Sequence, residues 1–140
     1  MNPRIICGFP GIGKSHLAKH NDWQDSDSSQ FSWISPGVRN PDFPHNYVQH
    51  IQTSGKNHLV STHKAVRDEF AKQNIPFVLC YPERQCKEEY IQRYRQRGST
   101  PAFLQLLSEK WDEWITEMEN ESRAAQHLVL QPGQFASDVL

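Results

Sequence analysis

Four short apolar runs interrupt an otherwise polar chain: "RIIC" at 4–7, "HLVS" at 58–61, "PFVLC" at 76–80 and "HLVL" at 127–130. Runs this short and this rich in branched aliphatic residues predict strands buried on both faces, as in a parallel sheet. Between them the pattern turns helical, in "KSHLAKH" (14–20), "PHNYVQHIQTSG" (44–55), "HKAVRDEFAKQ" (63–73), "ERQCKEEYIQRYRQR" (83–97) and "PAFLQLLSEKWDEWITEMEN" (101–120). In the last of these, Phe103, Leu106, Leu107, Trp111, Trp114, Ile115 and Met118 follow helical spacing, so one face packs on a core. Ser99 or Thr100 is placed to cap it ahead of Pro101 in the first turn. Alternating strands and helices predict an α/β fold, with a parallel sheet of about five strands covered by helices on both faces. Ligands then collect at the carboxyl ends of the strands. The stretch 31–47 is the least regular, with three prolines and four aromatics, and reads as a long functional loop or a cover over the site.

At 140 residues the chain fits one domain, 1–140. With 36 % apolar and 22 % charged residues it has the composition of a polar globular domain and not of a disordered chain. A net charge of -1 gives no global attraction to nucleic acid. Cys7, Cys80 and Cys86 are odd in number and lack metal-ligand spacing, and Cys7 and Cys80 fall inside apolar runs, which fits a reducing compartment. No long apolar run or signal-peptide layout is present, so a soluble, cytoplasmic protein with no membrane partner is expected.

The run after "RIIC" carries the chemistry. Gly8-Phe9-Pro10-Gly11-Ile12-Gly13-Lys14-Ser15 fits G-x-x-x-x-G-K-[ST] at every fixed position and leads from a strand into a helical pattern. Glycines let backbone N–H groups converge on phosphate oxygens without a Cβ in the way. The following helix turns its unpaired N–H groups, from Ile12 to His16, toward the same anion. Lys14 is expected on the β and γ phosphates of ATP and the Ser15 hydroxyl on Mg²⁺.

Ten residues on comes "QDSDSSQFSW". If Trp23 to Asp25 is a short strand, Asp25 and Asp27 point to one side at its carboxyl end, where one carboxylate can order Mg²⁺ and the other an acceptor. A solvated Asp/Ser turn is the alternative. A phosphate loop, a short helix and then D-x-D resemble the P-loop kinases of small molecules and nucleotides. Shikimate kinases carry a similar "DSD", and gluconate and polynucleotide kinases place an aspartate at that point. "DSDSSQFSW", "RNPDFP", "STHKAVRD" and "YIQRYRQRG" also look like small phage-encoded nucleotide kinase-like proteins, over most of the chain. The resemblance implies a three-layer α/β/α kinase fold with Asp25 on the metal and Asp27 holding or deprotonating the acceptor. It also implies a short arginine-bearing lid over 84–100.

Arg93 and Arg97 share a helical face and can clamp a transferring phosphoryl group, with Arg95 less well placed; a solvated basic face balanced by Glu83, Glu88 and Glu89 is the alternative. The strand "HLVS" ends in Ser61, Thr62 and His63 and not in the acid that Walker-type hydrolases place there, which favours transfer to an acceptor over hydrolysis. Lys64 and Arg67 can bind an acceptor's phosphate or form an exposed helix face. Phe31, Trp33 and Arg39, with Phe43 and Tyr47, are candidates to line the acceptor pocket, the aromatics having a core role as alternative. Gln131, Pro132 and Gly133 after the last strand are expected at the adenine, as the resemblance implies.

The sequence therefore leads to an ATP- and Mg²⁺-dependent kinase whose acceptor is a (deoxy)nucleoside monophosphate or similar small molecule, acting as a monomer or homodimer. Two other readings stay open at this point: a kinase of a hydroxyl within nucleic acid, at a 5′ end or a hydroxymethylated base, and a nucleotide-binding regulator that catalyses little.

Overall fold

A computed structural model describes residues 5–13, 23–25, 33–35, 38–60 and 62–139, with only the backbone described at Asp25 and at 33–35. The strands and helices run in the order β1 (Ile5–Gly8), β2 (Trp23–Asp25), β3 (Trp33–Ser35), β4 (Val38–Arg39), α1 (His45–Ser54) and β5 (Asn57–Val60). They continue with α2 (Lys64–Lys72), β6 (Val78–Pro82), α3 (Lys87–Gln96), α4 (Pro101–Glu119) and β7 (Gln126–Leu130). Short 3₁₀ turns stand at Arg84–Cys86 and Ala136–Asp138. The predicted helix at 14–20 lies outside the described residues.

Five strands form one sheet in the order β2-β5-β1-β6-β7, and every neighbouring pair is parallel. β1 is central and buried along its whole length, which is why it carries no polar alternation. Ile6 sits between Leu59 and Val78, and Cys7 between Val60 and Leu79. The four predicted runs are thus strands, joined by the short Trp23–Asp25 strand at one edge. Among the described residues of 31–47, β3 and β4 pair as an antiparallel ribbon that the sequence pattern did not predict, and α1 begins at His45, within the helical pattern read over 44–55.

From β2 onward, every crossover to the next strand of the sheet (β2 to β5, β5 to β6, β6 to β7) moves along it in one direction, so right-handed connections put their helices on one face. Contacts between neighbours agree with this. His45 of α1 lies 3.7 Å from Glu69 of α2, Arg67 of α2 is paired with Glu117 and Glu121 at the end of α4, and α3 packs on α4. The Thr100 side chain accepts from the Phe103 N–H with Pro101 at the first turn, so the start of α4 is capped as its sequence predicts. Leu107, Trp111, Ile115 and Met118 turn that helix into the core, whereas Leu106 is left largely exposed. No helix among the described residues is long and apolar enough to cross a membrane.

Candidate functional site

The loop 9–13 leaves the carboxyl end of the central strand. Phe9 N–H extends the ladder by donating to Cys80 O at 2.9 Å, and the chain then turns through Gly11 and Gly13, both at φ +91°. Both positions need glycine for space as well as for backbone angle. A Cβ at Gly11 would stand 3.0 Å from the Tyr90 ring and 3.1 Å from Tyr94, and one at Gly13 would stand 3.1 Å from Phe135.

The two apolar residues of the loop anchor it. Phe9 is buried in a box of Tyr90, Trp111 and Trp114, with ring centroids 5.4–6.3 Å away in edge-to-face arrangements. Trp111 in turn donates its indole N–H to Arg84 O at 2.9 Å. Ile12 is fully buried, and its carbonyl accepts from Ala136 N–H at 2.8 Å. Ile12 N–H also donates to Phe9 O at 3.4 Å, so the side chain and both backbone polar groups of Ile12 are engaged within the protein, and its expected place on the phosphates is corrected to that of a loop anchor.

A second tie comes from α3. Arg93 donates to Gly11 O at 2.7 Å, to Gln134 O at 2.9 Å and to Glu89 at 2.6 Å. Its guanidinium lies between the rings of Phe135, at 3.9 Å, and Tyr90, at 4.4 Å. The other oxygen of Glu89 accepts from Gly133 N–H at 2.8 Å. Arg93 and Glu89 thus fasten three segments together: the glycine loop, α3 and the 131–136 turn. Arg93 was expected to stabilise a transferring phosphoryl group; in this structure its fork is engaged by backbone oxygens and its partner carboxylate. Arg97 remains exposed at the end of α3, its guanidinium 5.0 Å from the Tyr94 ring that walls Gly11. Burial raises the phenol pKa of both Tyr90 and Tyr94, so each stays neutral at the loop.

Gln131, Pro132 and Gly133 are exposed beside this junction. Lys14, Ser15, His16, Asp27 and Phe31 lie outside the described residues. Asp25 ends β2 level with Leu59 and so with Ile6, two strands away, or about 10 Å at the usual strand spacing. Trp33 and Arg39 are register partners in the antiparallel β3–β4 ribbon. Tyr47 is fully buried, with the partly buried Phe43 tilted against it at 6.2 Å between ring centroids, so these two aromatics serve the core.

Lys64 and Arg67 part company. Lys64 is exposed and donates to the solvent-facing Asp68 at 2.9 Å. The Arg67 side chain is 3 % exposed; it donates to Thr62 O at 3.0 Å and Glu121 at 2.6 Å and is also paired with Glu117. Its expected role on an acceptor's phosphate is corrected: the guanidinium faces α4 and locks the two helices. Arg123, foremost, and Arg67 hold the Glu121 carboxyl down at about 2.

Between the start of the glycine loop and the ends of α2 and α4 lies a cleft of about 320 Å³, lined by Pro10, Thr62, Lys64, Trp114, Glu117 and Met118 among others. The sequence reading missed its α4 wall, because Trp114 and Met118 read there as ordinary core positions. Phe135 and Glu89 were missed as well, although the Glu89–Arg93 spacing of four is a visible signal of an ion pair on a helix.

The described residues define an α/β protein with a parallel five-stranded sheet and a glycine cradle at the carboxyl end of its middle strand. No family model matches the chain, and no curated protein matches it.

Proposed function

We propose that the chain is an ATP- and Mg²⁺-dependent phosphotransferase of the P-loop kinase type, moving the γ-phosphoryl of ATP to a (deoxy)nucleoside monophosphate or similar small acceptor. The observation that supports this most is the cradle itself: a loop built on Gly11 and Gly13 at positive φ, rigidly anchored, at the carboxyl end of the central strand and directly followed by Lys14 and Ser15. A Cβ at either glycine would strike the Tyr90, Tyr94 or Phe135 ring, so glycine at both positions lets the loop keep its turned backbone tight against these side chains, which fits a loop that offers backbone N–H groups to phosphate oxygens.

In this reading the loop amides and Lys14 hold the triphosphate. Ser15 and Asp25 both carry oxygen donors, which suit a hard cation. Mg²⁺, when bound with ATP, neutralises charge on the phosphates. Asp27 holds the accepting oxygen and Arg97 offsets charge near the transferring group. Arg93 acts through the loop it shapes. The fold would be a three-layer α/β/α kinase with the tip of α3 and the turn through Gly98 as a short lid.

The test is incubation of the full chain with ATP, Mg²⁺ and a panel of nucleosides, nucleoside monophosphates, sugars and oligonucleotides, with products identified by mass. A phosphorylated acceptor that disappears in Lys14→Ala supports the proposal. ADP formation without any phosphorylated acceptor, or transfer that survives Lys14→Ala, refutes it.

A further inference from the structure

We infer that the cleft between the glycine loop and α4 is the acceptor's ring site, taking a flat heteroaromatic ring that carries an anionic group, as a nucleoside monophosphate does. This rests on the kinase reading above and assigns the acceptor a place that the irregular 31–47 segment was expected to provide.

Position is the first argument. The cradle has two ends. Gly13 abuts Phe135 and the turn that follows β7, whereas Gly8, Phe9 and Pro10 open onto the cleft. A triphosphate lying along the loop with its nucleoside toward Phe135 directs its far end to Pro10. The acceptor must meet that end within bonding reach.

The lining supplies the second argument. Trp114, Met118 and Pro10 make an apolar wall suited to the face of a flat ring. Trp114 is only partly buried, so indole surface is available, while its inner side packs on Phe9 at 6.3 Å. On α4 beside Trp114 and Met118 stands the Glu117 carboxylate, whose side chain is 39 % exposed and whose Oε1 is paired with Arg67, and Thr62 also lines the cleft. A carboxylate only accepts hydrogen bonds, so it selects a ring whose edge offers N–H groups. Lys64 completes the set at the rim. Its side chain is 71 % exposed, and its surface pair with Asp68 is of the kind worth little, so the ammonium can turn to an anion. The volume, about 320 Å³, is within the range of small-molecule sites.

The experiment follows tryptophan emission of the full chain as dAMP, dGMP, dCMP or dTMP is added, with a bare nucleoside and ribose 5-phosphate as partial ligands. Emission should change with at least one monophosphate, less with either partial ligand, and the change should vanish in Trp114→Phe. In steady-state assays Trp114→Ala should raise the acceptor KM about tenfold or more and leave the KM for ATP in place. Lys64→Ala, an exposed change that spares the fold, should erase the preference for monophosphate over nucleoside. An acceptor KM untouched by Lys64→Ala and Trp114→Ala, in an enzyme that turns over, overturns the ring site and leaves the kinase standing. Trp114-dependent binding without any phosphoryl transfer upholds the site and overturns the reaction.

Discussion

Arg93→Lys keeps the positive charge but removes the planar fork, and so separates a charge supplied to a ligand from a brace within the protein. The native guanidinium donates to two backbone carbonyls, Gly11 O and Gln134 O, and to the Glu89 carboxylate, with its side chain 13 % exposed. A lysine ammonium at the end of a flexible stem can retain the Glu89 contact and one carbonyl. The other carbonyl is left without its charged donor, and the stacking on Phe135 and Tyr90 weakens. A hydrogen bond to a charged group contributes about 1.5–3 kcal/mol, and partial exposure argues for the lower half of that range. The expected loss of stability is therefore about 2 kcal/mol for Arg93→Lys and about 4 kcal/mol for Arg93→Met. In urea, with a slope of about 2 kcal/mol/M, the lysine variant's midpoint should fall by about 1 M. A double-mutant cycle with Glu89→Gln isolates the pair and should show coupling of about 1 kcal/mol or more. A midpoint unchanged in Arg93→Lys would refute the bracing role and return Arg93 to the solvated or phosphate-facing readings.

Other substitutions test the remaining supports. Phe9→Ala empties the box formed by Tyr90, Trp111 and Trp114 and should cost about 3–5 kcal/mol of stability in the same denaturation assay. Gly13→Ala puts a methyl group 3.1 Å from Phe135 at a φ of +91°, so ATP binding measured by calorimetry should be lost or fall sharply; Phe135→Ala in the same chain should relieve the crowding but not the backbone strain. Arg67→Met takes the cation from the half-exposed Glu117 and leaves Glu121 to Arg123 alone, so a loss of about 1.5–3 kcal/mol is expected, against nearly none if Arg67 were an exposed ligand residue. Glu121 is held at about 2 in the folded chain against an ordinary value near 4.5, so its contribution is fully present above the unfolded value and is lost as pH falls toward the folded one. Wild type should lose on the order of 3 kcal/mol more than Glu121→Gln between about pH 5 and about pH 2, read from urea melts at each pH.

The sheet was legible because its inner strands are short, buried and separated by helical periods, which local pattern reports directly; β7 was expected to be buried on both faces, but it lies at the sheet edge with Val129 exposed. The β3–β4 ribbon was not legible, since two- and three-residue strands set among prolines carry no period. The cradle was legible as a motif, and the positive φ at Gly11 and Gly13 is the physical demand behind its glycines. What holds the cradle was not. Arg93 and Gly11 are 82 residues apart, and a basic residue on a helix reads the same whether it meets water or a buried carbonyl. Arg67 illustrates the same limit: its carboxylate partners lie 50 and 54 residues away, so its burial follows from tertiary packing alone. Trp114 shows the converse, since helical spacing places it on the core side of α4 without telling that part of its ring borders a cleft.

The central claim, transfer of phosphate from ATP to an acceptor molecule, is tested most directly by mass analysis of acceptors incubated with ATP and Mg²⁺, for the wild-type chain and Lys14→Ala in parallel. The account predicts a phosphorylated small acceptor, formed in proportion to ADP, from the wild type and none from Lys14→Ala. ADP appearing with inorganic phosphate alone, or tight ATP binding with no product from any acceptor, would contradict it.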